Sequence, residues 1–368
     1  MKIAIAHDYL TQQGGAERVV LSMLRAFPDA TVHTSLYDAG GCFPEYRAAR
    51  VRPSPLNAAR PLRMRHRLAF PLLAPVFSAM HVDADVTLVS SSGWAHGVRT
   101  SGRKVVYCHA PARWLYQQQR YLAGRGRFAR LTLRAGETRL RAWDRAAART
   151  ANLYLVNSRA IRDQVKRVYG IDADVLHPPV TIDVGGPHRP VPGLTPGYAM
   201  CVARLQSYKN VDVVIDAMRH LPDARLVVVG SGPLEAHLRD RAGRNVTFVG
   251  QVVDDQLRWL YANAGVLVGA SFEDFGLTPI EAAAFGVPTV ALRFGGYLDT
   301  VRHDATGLLV DTLDARSLAA SLASALDRDW DRETIRLHAG RFSEQRFINS
   351  LRSIVDGQSD GKNGRLAA

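Results

Sequence analysis

Two carboxylates eight residues apart, Glu273 and Glu281, bracket a glycine–proline turn in GASFEDFGLTPIEAAAFGVPTV, residues 269–290. The strand-like run AGVLVGAS ends near Ser271, which leaves Glu273 at its carboxyl end. Gly276 lets the backbone come close to a ligand, Thr278 has the residue type of an N-cap, and Pro279 suits the first helical position. The amides from Gly276 to Thr278 then lie at the positive end of a helix, an anion site that needs no side chain. Two readings are open for Glu281. Thr278 to Glu281 spells T-x-x-E, a capping box, and the same carboxylate could accept hydrogen bonds from neutral hydroxyls such as those of a ribose. Glu273 is either a solvated loop acid or a ligand contact.

A second cluster, CVARLQSYKN, sets Arg204 and Lys209 five apart after a strand-like run. An arginine fork and a mobile lysine charge suit a diphosphate, and two surface cations are the alternative. In AHDYLTQQGGAERVV, Gly14 and Gly15 stand between a strand and a helix, where paired glycines either make a plain tight turn or offer amides to phosphate. His109 ends the strand-like VVYCHAP and is either structural or a cleft-facing functional group. VVVGSGPLE carries Gly230 and Gly232, yet Glu235 stands where a dinucleotide fingerprint needs its third glycine. The D-x-D triplets Asp83–Asp85 and Asp172–Asp174 precede strand-like runs and read as edge carboxylates, so no metal site is expected.

The elements that must position these groups alternate. KIAIAHDY, DVTLVSSS, KVVYCHAP and ANLYLVNS read as strands in the first half. YAMCVARL, RLVVVGSG, NVTFVGQV, GVLVGAS and PTVALRFG do so in the second. Their continuous Val/Ile/Leu character fits parallel strands buried on both faces. Helical stretches, such as 16–27, 210–220 and 255–264, lie between them, which predicts doubly wound α/β sheets. His177 to Gly197 holds six prolines and four glycines and cannot sustain a helix or central strand. The expected organisation is an N-terminal Rossmann-like domain over 1–184, a linker over 185–197, a C-terminal Rossmann-like domain over 198–338, and a helix and frayed tail over 339–368. Two such domains are expected to face an interdomain cleft, with ligands at the carboxyl ends of the strands.

Composition narrows the class. With 47% hydrophobic and 22% charged residues among 368, the chain has a globular protein's balance. Its three cysteines, Cys42, Cys108 and Cys201, give no disulfide framework or zinc spacing, which favours a reducing cytosol. MKIAIAHDYL opens directly into a strand pattern, so no signal peptide is expected. No apolar run approaches the roughly 20 residues of a membrane span. Through Val180 there are 27 Lys and Arg against 12 Asp and Glu, and beyond it 20 against 22. The net charge of +13 therefore belongs to the first half.

GGAERVV, SSSGWAHGV, YCHAPARW, CVARLQSYKN, VVVGSGPL and SFEDFGLTPIEAAAFGVPTVA occur together in the order that resembles family 4 retaining glycosyltransferases of the GT-B fold. The likeness runs from about Lys2 to Val310, and its last segment matches that family's E-x7-E signature. It is nearest in look to bacterial enzymes of O-antigen and exopolysaccharide synthesis, often using GDP-mannose. The resemblance implies that Arg204 and Lys209 hold the donor diphosphate, that Glu281 binds ribose and that Glu273 binds the transferred sugar. It further implies that Gly276, Leu277 and Thr278, with Gly14 and Gly15, cradle phosphate and sugar, and that His109 faces the anomeric centre. A nucleotide-sugar donor, a lipid-linked or glycan acceptor and chemistry without metal or other cofactor follow from the same likeness. A UDP-sugar donor is the nearest alternative. A nicotinamide-dependent dehydrogenase lacks its full fingerprint here, and a non-catalytic nucleotide-binding protein has no need of Arg204, Lys209, Glu273 and Glu281 together.

The basic half bears on the acceptor. RPLRMRHRLAFPLLAPVFSAM couples Arg60, Arg63, Arg65 and Arg67 to an apolar stretch, and Arg125 to Arg149 fall on a helical run with Trp143. Such segments suit either an anionic membrane surface or a solvated face over a core helix. No nucleic-acid module accompanies the charge, so nucleic acid is not expected as a partner. The expected location is cytoplasmic, peripheral on the inner face of the membrane.

Overall fold

The computed structural model describes residues 1–117 and 127–357, and of residues 127–135 the backbone alone. The chain divides into two compact units. One comprises Met1–Pro179 with the segment from Glu344 onward, the other Val180–Ser343.

The first unit contains β1 (Ile3–His7), β2 (Thr31–Thr34), β3 (Val51–Pro53), β4 (His81–Val82), β5 (Val86–Ser91), β6 (Arg99–Thr100), β7 (Arg103–Cys108), β8 (Leu153–Val156) and β9 (Asp174–Val175). Seven of them form a sheet in the order β3-β2-β1-β5-β7-β8-β9, and β4 pairs with β6. Every pairing in this sheet is parallel. Alternation of side chains along each strand feeds two cores. Ile5, Leu88, Val105, Tyr107 and Leu155 face one, and Ala4, Ala6, Val89, Val106 and Val156 the other. Helix Gly15–Ala26 covers the first of these with Val19, Val20 and Met23. The C-terminal helix Glu344–Val355 joins it there through Phe347, Leu351 and Ile354. Ser22 donates to Glu344 at 2.5 Å and Arg103 to the Ile354 carbonyl at 2.8 Å.

The second unit holds β10 (Tyr198–Val202), β11 (Leu226–Val229), β12 (Val246–Gly250), β13 (Ala264–Gly269), β14 (Thr289–Leu292) and β15 (Gly307–Val310), in the order β12-β11-β10-β13-β14-β15. These pairings are parallel as well. The same alternation splits Ala199, Cys201, Val228 and Val268 from Tyr198, Met200, Val227 and Leu267. Both units are parallel α/β sheets, as the alternation of strand-like and helical runs predicts. No helix or ladder strand lies between β9 and β10. This proline-rich stretch nonetheless packs, with Ile182, Val191 and Leu194 against the core of the second unit.

The basic stretch of the first unit folds as two short helical turns, Arg60–Met64 and His66–Ala69, followed by the helix Phe70–Ala79. Phe77 and Leu73 point into the core, whereas Met64, Leu68 and Leu72 are 65%, 56% and 43% exposed. Along the helix Arg127–Ala148, Trp143 turns inward and donates to Ser78 Oγ at 2.8 Å. This residue packs against the core of the first unit. Arg125 and the final tail lie outside the described residues, as do the side chains of Arg127, Arg130 and Arg134. No helix among the described residues is long and apolar enough to cross a membrane.

Candidate functional site

In the second sheet the order reverses direction between β10 and β13, the switch point at which loops part and leave room for a ligand. Lys209 follows β10, in the turn Ser207–Lys209, and Glu273 follows β13. Asn210, left-handed at φ 50°, donates to the Ala270 carbonyl at 2.9 Å and ties that turn to the end of β13. Lys209 Nζ bonds Glu273 Oε1, and the two side chains are 17% and 18% exposed. Ser271 donates to the same Glu273 oxygen at 2.7 Å and lies 2.9 Å from the Tyr297 hydroxyl. Burial, then the charge of Glu273, hold the Tyr297 phenol well above its ordinary range. It is a neutral hydrogen-bonding group. Arg204, in the loop after β10, is exposed.

The helix after Glu273 runs over Leu277–Ala284, and Gly276 is its N-cap at φ 86° with no side-chain capping bond. This corrects the expectation that Thr278 caps the helix. The left-handed conformation suits glycine, and a Cβ at Gly276 would lie 2.9 Å from the Tyr297 ring. Thr278 therefore sits inside the first turn, with Pro279 at a position where an amide hydrogen would have no helical acceptor. The capping-box register is lost with it. Glu281 instead accepts a hydrogen bond from the Tyr261 hydroxyl at 2.8 Å.

Gly295 and Gly296 lie directly against the backbone of Glu273 and Phe275, and the Gly296 amide donates to the Glu273 carbonyl at 2.9 Å. Any side chain there would collide with the loop that carries Glu273. Sequence reasoning passed over Ser271, Tyr261, Tyr297 and this glycine pair. The available signal is GGY, which begins 22 residues beyond Glu273.

The first sheet has its own reversal between β1 and β5. His7 and Asp8 end β1, Ser90 and Ser91 end β5, and His109 follows β7. Gly14 caps helix Gly15–Ala26 at an ordinary φ of −127°. Its missing Cβ leaves space for the Glu17 carboxylate. Asp8, buried, accepts from the amides of Ser92, Trp94 and Ala95 at 2.6, 3.1 and 2.6 Å. That carboxylate organises the loop after β5.

His109 is half-buried, with Nε2 2.8 Å from Ser90 Oγ and its carbonyl accepting from Asn157 at 2.9 Å. Burial, then the charge on His7, push its pKa down to about 3. The structure thus links His109 to the Gly14–Gly15 turn through Ser90, His7 and Glu17, none of which the sequence reading had singled out.

Asp83 and Asp85 accept from Lys2 at 2.7 and 2.6 Å, and Asp172 from Lys166 at 2.6 Å. Among the described residues no group of three His, Cys, Asp or Glu is placed to hold a metal ion.

Residues 13–184 match the model of Glycosyltransferase Family 4, and residues 189–340 that of Glycosyl transferases group 1. The chain is similar to a GDP-mannose-dependent alpha-(1-6)-phosphatidylinositol monomannoside mannosyltransferase of Mycobacterium tuberculosis, 36% identical over 35% of this chain and 38% of that protein. It is also similar to a D-inositol 3-phosphate glycosyltransferase of a Mycobacterium species, 32% identical over 48% of this chain and 45% of that protein. The chain spans less than half the length of these two curated relatives it matches. Among solved structures, Anabaena HepE in complex with UDP superposes with a TM-score of 0.72 at 17% identity, over 97% of this chain and all of that one. Sucrose-phosphate synthase from Thermosynechococcus elongatus does so at 0.74 and 19%, over 97% and 99%. Both share the fold.

Proposed function

We propose, since the chain belongs to the family 4, group 1 glycosyltransferases, that it is a retaining hexosyltransferase that moves mannose from GDP-mannose onto a glycan or lipid-linked acceptor. The observation that carries this reading is the Lys209–Glu273–Ser271 cluster at the switch point of the second sheet, beside a helix start capped by Gly276. Breaking a sugar–diphosphate bond puts negative charge on the leaving oxygen, and fixed cations and amides stabilise it. Lys209, Arg204 and the amides of Leu277 and Thr278 fill that role. Glu273 balances the positive charge that grows on the sugar, and Glu281, fixed by Tyr261, receives the ribose hydroxyls. Gly14 and Gly15 contribute a phosphate-facing turn, and His109 contacts the sugar. Retention follows front-face attack in which the departing phosphate takes the acceptor proton, so no paired acid and nucleophile of a glycosidase is needed.

The mannosyl donor is supported by the mycobacterial mannosyltransferase named above. A UDP-sugar donor is the second reading, supported by the UDP complex of HepE. Nucleotide release from a panel of GDP- and UDP-sugars, with Lys209→Ala as control, decides between them. Release from GDP-mannose alone, lost in the variant, is expected, and release from a UDP-sugar alone overturns the donor. With protein cations at the leaving group, EDTA is expected to leave turnover unchanged.

The acceptor side is read from the first unit. Met64, Leu68 and Leu72 stand exposed among Arg60, Arg63, Arg65 and Arg67, a pattern that suits the anionic inner face of the cytoplasmic membrane. Sedimentation with anionic liposomes and not with neutral ones is the expected result.

A further inference from the structure

His109 is the end of a buried chain of polar groups whose donors and acceptors can be assigned one by one. Nδ1 of His7 lies 3.2 Å from the Ser90 carbonyl and 3.0 Å from Ser90 Oγ. A carbonyl oxygen only accepts, so this nitrogen carries a proton. Ser90 Oγ therefore accepts a hydrogen bond from His7, and its own hydroxyl donates to the remaining partner, Nε2 of His109 at 2.8 Å. Nε2 of His109 is then an acceptor. In a neutral imidazole the other nitrogen must hold the proton.

The far end of the chain keeps this polarity fixed. Nε2 of His7 faces Glu17 Oε1 at 3.9 Å, and Gln12 donates to that oxygen at 2.9 Å. His7 and Glu17 are each 2% exposed, and Ser90 is fully buried. Burial lowers the His7 pKa, yet the nearby negative charge of Glu17, then that of Asp8, outweighs it and leaves the pKa raised. Glu17 is held below its ordinary value against its own burial by the same pairing. Of the charged groups that bear on His109, His7 and Arg113 disfavour its protonation and Glu17 favours it, while burial dominates.

We propose that Glu17, His7 and Ser90 act as positioning residues that hold His109 as the neutral Nδ1–H tautomer, a one-way hydrogen-bond donor to an oxygen of the bound sugar. The tautomer stands on the chain's geometry, and the sugar as its ligand rests on the functional reading above. A neutral donor can hold a sugar oxygen without opposing the positive charge that grows at the anomeric carbon. An imidazolium would repel that charge, and the opposite tautomer would present a lone pair to it.

The test is the nitrogen-15 imidazole spectrum of the ligand-free protein near neutral pH, with His109→Gln used to assign the resonance. A protonated Nδ1 and a bare Nε2 are expected for His109, shifting toward the Nε2–H form in Ser90→Ala. A wild-type His109 protonated at Nε2 overturns the proposal, and so does an unchanged tautomer in a folded Ser90→Ala. If Ser90→Ala does not fold, the wild-type spectrum decides alone. Donor turnover is read separately: a wild type inactive on every donor with acceptor supplied overturns the functional reading, and the resonance still decides the tautomer.

Discussion

Each sheet carries one acid–base pair at its reversal point, and the two pairs are built to opposite ends. His7 and Glu17 are sealed at 2% exposure, held by Ser90 and Gln12. Lys209 and Glu273 remain 17% and 18% exposed, attached to the fold through short loops and a serine. A sealed pair cannot trade its partner for a ligand, because each charge would be left in a medium that solvates it poorly. A partly open pair can, since water already competes with each partner for the other. Burial depth thus separates a pair that sets the state of a neighbouring group from one that can engage substrate directly.

The comparison breaks most visibly at Glu17. Glu17→Ala leaves the His7 side chain without its counter-charge, and a loss of about 3–5 kcal/mol is expected in urea unfolding. Glu273→Ala should cost far less stability, and equal losses would erase the distinction. Next comes Lys209→Ala, for which turnover should fall roughly 10²–10³-fold, the range for removing one preorganised group at a developing charge, with unfolding nearly unchanged. Gly276→Ala forces a left-handed side chain to within 2.9 Å of Tyr297. A destabilisation of about 1–3 kcal/mol is expected, read as a lower midpoint for the second unit.

The smallest effect is on pH dependence. His109, with a pKa near 3 in the fold against 6.5 in the unfolded chain, binds fewer protons when folded. Stability should fall as the pH drops through 6.5 toward 3. His7, raised in the fold, acts oppositely: its contribution is complete below 6.5 and is lost as the pH climbs through its folded value. His109→Gln should flatten the slope between pH 6.5 and 5 by the share of one proton, measured by unfolding at stepped pH.

Much of the scaffold is legible from the chain. All nine strand-like runs read in the sequence are strands, because a run such as VTLVSS, built on Val and Leu, is buried on both faces. TVHT and VRP pass unread: each is short and partly polar, and each becomes a strand through its neighbour's ladder. GLLV, at an edge of the second sheet, is too brief to carry a pattern. In the site, Lys209 is legible only as a loop cation beside Arg204, and Glu273 only as a loop acid beside Glu281; the topology joins Lys209 to Glu273. Thr278 misleads because T-P-I-E satisfies the capping rule two residues late, and the left-handed Gly276 takes the cap. Glu17 was illegible for a different reason. An acid in the first turn of an amphipathic helix reads as a macrodipole partner in water, and only tertiary packing against His7 makes it buried.

The return of Glu344–Val355 to the first unit has a consequence for synthesis. Phe347, Ile348, Leu351, Ile354 and Val355 belong to the same core as Ile5 and Val20, yet the whole of Val180–Ser343 is translated between them. At about 5–20 residues per second, the unit begun first waits on the order of ten seconds for its closing helix. The ribosome therefore presents an uninterrupted second unit, free to fold on emergence, while the first holds an unfinished apolar face open to chaperones until the last helix leaves the exit tunnel.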